Sequence, residues 1–166
     1  MSLTRRQALV GALAAGVTGA GASRARAEVS GPDQLERLLA FEHRLEAAYR
    51  TALGASVIDV ALGRSLLAQE REHVRGVELA LRNVGRRSPQ AGAPRPFPRA
   101  ALRGPRAFAR SALELESETE AAYVRVLATL DAPGLLQPLG SIMTAGAQHQ
   151  VALRRVLGEP LLAHRH

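Results

Sequence analysis

Phe41-Glu42-His43-Arg44-Leu45-Glu46-Ala47-Ala48-Tyr49 returns 74 residues later as Leu115-Glu116-Ser117-Glu118-Thr119-Glu120-Ala121-Ala122-Tyr123, with Glu, Glu, Ala, Ala and Tyr at the same spacing. Around the first copy, Leu35, Leu38, Glu42, Leu45, Tyr49 and Ala52 step by three and four, the period of a helix packed along one face. The first glutamate of each copy therefore falls on the face that should be buried. A carboxylate removed from water is costly unless it is paired, protonated or bound to a cation. Two such carboxylates at matching positions point to a site and not to a solvated surface.

The same periodicity predicts four helices. The first spans 32–53, with Pro32 suited to an opening turn and Gly54 to a stop. The second runs from about Ile58 to Val84, with a seam of Leu66, Glu70, His73, Val77, Ala80 and Val84. The third opens at Pro105 and reaches Leu130 through Phe108, Ala112, Glu116, Thr119, Tyr123 and Val126. Asp131-Ala132-Pro133-Gly134 reads as a tight turn before a fourth helix over 135–157, whose seam is Leu139, Ile142, Gly146, His149, Leu153 and Val156. Pro89, Pro94, Pro96 and Pro98 keep the middle connection out of a long helix. No stretch alternates with period two, so the expected fold is all-α: two helical hairpins joined by a long Pro-rich crossover.

The polar seam residues Glu42, Glu70, His73, Glu116 and His149 fall near one level of that bundle. Glu70 and His73 form Glu-x-x-His, which puts both side chains on one helix face a turn apart. With Glu42, Glu70-Arg71-Glu72-His73, Glu116 and His149 in this order, the chain resembles the ferritin-like superfamily, in particular its small exported bacterial members. The resemblance covers nearly all of residues 28–166. It implies a four-helix bundle holding iron or manganese, with Glu42, Glu70, His73, Glu116 and His149 as metal ligands. Carboxylates neutralise hard cations, and a neutral imidazole leaves coordination positions open.

One position departs from the pattern. Three residues before His149, where the family motif has Glu, this chain has Gly146. Five of six ligand positions are filled. A mononuclear site of Glu70, His73, Glu116 and His149 with Glu42 nearby is one expectation, and complete loss of metal is another. Glu46 and Glu120, a turn from the seam glutamates, are expected on the bundle flank. Tyr49 and Tyr123 are expected in the core with their hydroxyls on a buried carboxylate, and either could satisfy His149 if it holds no metal. Glu72, Glu78, Glu114 and Glu118 with Arg71, Arg75, Arg82 and Arg110 read as exposed charge. His164 and His166 read as a frayed tail.

The N-terminus is read as an address. Arg5-Arg6 precede a weakly apolar run from Ala8 to Ala22, and Ala25-Arg26-Ala27 offers small residues where a signal peptidase cuts. This resembles a twin-arginine export signal over residues 1–27, which places the mature protein outside the cytoplasm, in the periplasm or beyond. The run is too short and too rich in Gly and Ala for a membrane span. The chain carries 22 arginines and no lysine against 15 acids, net +7. Without Arg5, Arg6, Arg24 and Arg26 the excess falls to about +3, and no basic stripe with interleaved aromatics remains to bind nucleic acid. There is no cysteine, so neither a disulfide nor a thiolate ligand is available.

Two functional readings follow. In the first, the exported bundle binds Fe or Mn at the partial carboxylate and histidine site, with metal oxidation or peroxide removal as the reaction if there is one. In the second, a cofactor-free bundle serves as a binding or scaffold protein with a degenerate site. Neither names a protein partner, an oligomer or a catalytic residue.

Overall fold

Four long helices carry the residues described by the computed structural model, 31–89 and 96–159. They are α1 (Gly31–Gly54), α2 (Val60–Asn83), α3 (Pro105–Thr129) and α4 (Pro133–Leu157). A short 3-10 turn, Arg99–Arg103, precedes α3. No strand occurs among the described residues. The expected export segment 1–27, Pro94, His164 and His166 lie outside them.

Two helix starts differ from the periodicity, each for a local reason. Helix α2 starts at Val60 because the Asp59 side chain accepts a hydrogen bond from the Leu62 N–H at 2.9 Å, capping the first turn. Val57 and Ile58 stay outside the helix and close over the apolar core beside Leu66 and Phe108. Helix α4 begins at Pro133, whose fixed φ and missing N–H suit the first helical position better than the turn expected there. In the crossover, Pro98 precedes the 3-10 turn, which buries Ala101, and Phe97 packs on Phe108 with ring centroids 5.5 Å apart.

Two apolar clusters fill the bundle, one towards each end. Leu45, Tyr49, Leu66, Phe108, Leu115 and Leu153 belong to the first. Leu35, Leu38, Val77, Leu81, Val126 and Leu139 belong to the second. The order of these residues along the chain gives the topology. Helix α1 runs from the second cluster to the first, α2 and α3 both run from the first to the second, and α4 returns. Thus α1 and α2 are an antiparallel hairpin, as are α3 and α4, and the crossover travels the bundle's length between parallel α2 and α3. Helices α1 and α3 also pack closely, whereas α2 meets α4 sparingly. No described helix is long and apolar enough to cross a membrane.

Candidate metal centre

A polar layer separates the two apolar clusters. On every helix the layer residues fall between one cluster's members and the other's: Glu42 on α1, Glu70 and His73 on α2, Glu116 on α3, His149 on α4. All five are buried, with Glu70 at 0% exposure and His73, the most open, at 7%. The sequence therefore had the register right. A shift of one residue would have turned Glu46 and Glu120 inward; instead Glu120 is exposed and Glu46 is half-buried.

The five side chains converge as two overlapping donor sets. Ligand atoms of Glu42, Glu70 and His73 all lie within 4.8 Å of one another, and so do those of Glu70, Glu116 and His149. Glu70 belongs to both. In the first set, His73 Nδ1 is 3.7 Å from Glu42 Oε2 and 3.6 Å from Glu70 Oε2. In the second, His149 Nδ1 is 2.9 Å from Glu70 Oε1 and 3.2 Å from Glu116 Oε1. The imidazoles stack, with centroids 5.5 Å apart and planes inclined by 20°. The donors of the mononuclear site that the sequence allowed, Glu70, His73, Glu116 and His149 with Glu42 nearby, fall here into two overlapping groups. Glu42 completes one set and Glu116 the other.

The duplicated tyrosines serve the duplicated glutamates reciprocally. Tyr123 on α3 donates its hydroxyl to Glu42 Oε1 on α1 at 2.5 Å, and Tyr49 on α1 donates to Glu116 Oε1 on α3 at 2.6 Å. Neither hydroxyl satisfies His149. The Tyr49 ring stands edge-on to the imidazole with centroids 6.3 Å apart.

Three acids and two imidazoles in a dry layer shift one another's protonation. Burial raises Glu42 to about 7, against the pull of His73. Burial acts on Glu70 in the same direction, but His149 and His73 outweigh it and hold that carboxyl down near 2. Glu116 is raised, chiefly by burial, although His149 opposes the shift. Burial would lower both histidines, yet Glu42 and Glu70 carry His73 up to about 10, and Glu116 and Glu70 carry His149 up to about 9. Without a cation, then, two imidazolium ions supply the positive charge. The compensation is incomplete: Glu42 Oε2 and both oxygens of Glu70 are buried with no hydrogen bond. Glu70 Oε1 is close to His149 Nδ1 but not aligned to accept from it. Orphaned buried carboxylate oxygens of this kind are what a bound cation would satisfy.

Gly146 faces this layer. A Cβ built there would touch Glu116 Oε2 at 3.7 Å, an ordinary contact. No nearby acid replaces the missing carboxylate. Glu46 pairs outward with Arg71 at 3.5 Å and Arg50 at 3.6 Å, and Glu120 Oε2 accepts from Gln150 Nε2 at 2.6 Å. Of the other charged residues, Glu72 and Arg75 pair with each other at the surface, and Arg44 reaches Glu118 at 3.5 Å.

Two residues of the site escaped the sequence reading. Gln69 Oε1 lies 3.1 Å from His149 Nε2, and Gln69 Nε2 donates to Ser65 Oγ at 3.3 Å. With the amide oxygen toward it, His149 donates from Nε2–H and turns Nδ1 to the carboxylates. Gln150, buried beside His149, holds Glu120 out of the centre. The Glu-x-x-His spacing signals neither residue, because both contacts cross between helices.

Oxygen-rich sets with one imidazole each suit hard or borderline divalent ions. A family model described as a ferritin-like domain matches residues 31–159. Among solved structures, a ferritin-like, diiron-carboxylate protein from Bacillus anthracis str. Ames aligns with a TM-score of 0.66 at 20% identity, over 76% of this chain and 94% of that one. A conserved hypothetical protein from Mycobacterium tuberculosis aligns with a TM-score of 0.65 at 22% identity, over 82% of this chain and 96% of that one. At these identities the likeness establishes the fold. No curated protein sequence matches the chain significantly.

Proposed function

Since the chain belongs to the ferritin-like domain family, we propose that it is an exported protein that binds iron or manganese in the polar layer of its bundle. Glu42, Glu70, His73, Glu116 and His149 would hold the metal, Glu70 belonging to both donor sets. The observation that carries this reading is the set of orphaned oxygens on Glu42 and Glu70, buried between two imidazoles whose Nδ1 atoms face them. A structural ion-pair network would be expected to satisfy those oxygens. A solved bundle of similar fold, a ferritin-like, diiron-carboxylate protein, supports it. Export rests on Arg5-Arg6 and on Ala25-Arg26-Ala27 in the sequence.

Bound iron or manganese supplies one-electron redox chemistry, which is the route to metal oxidation or to removal of peroxide. The chain's own residues prepare the centre. Tyr49 and Tyr123 fix Glu116 and Glu42, Gln69 orients His149, and the apolar clusters keep water from the two ends of the layer. The decisive experiment is metal analysis of protein recovered from its exported location. The expected result is up to two tightly held ions per chain, one lost in His73→Ala and both lost in Glu70→Gln. Metal-free protein whose melting temperature is unmoved by added Fe(II) or Mn(II) would refute the reading and favour the cofactor-free bundle.

A further inference from the structure

The chain's own repeat breaks at one place. Glu42 and Glu116 correspond at a spacing of 74, as do Tyr49 and Tyr123; on the other two helices His73 corresponds to His149 at a spacing of 76, and at that spacing Glu70 corresponds to Gly146. One half of the polar layer has a carboxylate where the other half has none. The surroundings have not closed over the omission. A cavity of about 10 Å³, counted as space open to the centre of a water molecule, lies against Gly146, Glu116, Glu42, His73 and Tyr123 and runs out to exposed Glu120. Glu42, 1% exposed and with Oε2 lacking any hydrogen bond, lines it. A Cβ at 146 would meet nothing within 4 Å except Glu116 Oε2.

Charge gives that gap a meaning. Resting on the metal-binding reading above, two divalent ions held by neutral imidazoles bring four positive charges to a layer with three carboxylates, Glu42, Glu70 and Glu116. One positive charge remains uncompensated in a water-poor interior, where an unpaired charge is strongly disfavoured. We infer that a small exogenous monoanion binds with the metal ions in the gap left by Gly146, in place of the absent side-chain carboxylate. Size restricts its class. The gap is a small one, so the ligand is a halide or a formate-sized carboxylate, not a phosphate or an aromatic acid. The same gap is walled by Glu42 and Glu116, so the anion is rejected until the metal is in place. Binding of anion and metal is mutually dependent.

The test uses the whole exported protein in buffer free of chloride and small carboxylates, titrated with Mn(II) by calorimetry. Chloride or formate is expected to tighten binding of the second ion by about tenfold when supplied at about ten times the anion's own dissociation constant. Benzoate should have no effect, and none of the anions should shift the melting temperature of metal-free protein. Gly146→Glu, which supplies the carboxylate covalently, should bind two ions without added anion and ignore formate. Gly146→Ala puts an uncharged methyl in the gap at a helix position that favours alanine; it should retain the first ion and lose the anion effect. Equal binding of two ions by wild-type protein with and without anion overturns the inference, as does one ion under both conditions, or an anion effect that survives in Gly146→Ala. Failure of the metal-binding reading looks different, because then neither wild-type protein nor Gly146→Glu takes up Mn(II) at any anion concentration.

Discussion

Replacing Tyr123 by Phe removes one oxygen and leaves the ring packing intact, so its effect isolates the bond to Glu42. That bond is short, 2.5 Å, and Glu42 has no other hydrogen-bond donor: Oε2 is orphaned and His73 Nδ1 stands off at 3.7 Å. A hydrogen bond to a charged group contributes about 1.5–3 kcal/mol, a neutral pair about 0.5–1.5 kcal/mol. Which figure applies depends on pH, because the folded Glu42 titrates at about 7 against a reference of 4.5. This is an acid whose folded value is raised, so the native state prefers it protonated. Its ionisation on the way up through 7 takes stability away. The Tyr123 hydroxyl is one of the groups that lower the Glu42 value, and Tyr123→Phe pushes it higher still. In metal-free protein the cost of the substitution should therefore be about 1 kcal/mol at pH 6, where Glu42 is protonated in both forms, and about 2 kcal/mol or more at pH 8.5. Tyr49→Phe should behave differently, because Glu116 Oε1 keeps His149 Nδ1 at 3.2 Å after the hydroxyl is gone. Its cost should vary less between the two conditions. Urea unfolding of both variants and wild type at the two pH values makes the comparison. A Tyr123→Phe cost that is flat with pH, or smaller than that of Tyr49→Phe at pH 8.5, would refute the account of Glu42.

Two further outcomes follow from the same layer. Metal-free protein should be most stable at about pH 4.5–5. Going up, stability is lost from about pH 4.5 through the raised values of Glu42, about 7, and Glu116, and from about pH 6.5 through those of His73 and His149, about 10 and 9; going down, it is lost from about pH 4.5 because the unfolded chain protonates Glu70 before the folded one, held near 2, does; melting temperature scanned across pH reads this, and a maximum near pH 9 would contradict it. Gln69→Leu should weaken the ion held by His149 by about 10–100-fold, the usual scale for losing an outer partner of a ligating histidine, while sparing the ion held by His73. Gln69→Glu, which still accepts from Nε2–H, should restore it; equal loss at both ions would reduce Gln69 to a packing role.

The parts of this protein that could be read from its sequence are those where burial and period are the same fact. Glu42, Glu70, His73, Glu116 and His149 stood out because each interrupts a run of leucines and alanines at a step of three or four. The structure finds all five inside, at one level. That Tyr49 and Tyr123 each bond a buried carboxylate followed from the same echo, since a phenol at that depth needs an acceptor; that each reaches across to the other copy's glutamate did not. The division into two sets sharing Glu70 was hidden, because it depends on which way three carboxyl groups turn in a common space, and spacing along a helix carries no rotamer. Gln69 was hidden for another reason: half-buried, beside the seam, it reads as a surface residue until α4 brings His149 against it. Cap and turn chemistry decided the rest. Asp59 and Pro133 set the starts of α2 and α4 against the apolar pattern. Gly146 joins the two kinds of legibility. A sequence reader sees only a residue that fails to repeat Glu70, and takes it as damage to one of two ions. In three dimensions Glu70 serves both donor sets, each of which keeps one carboxylate and one imidazole of its own. The missing side chain therefore leaves each set its own carboxylate and imidazole, and opens a gap beside Glu116.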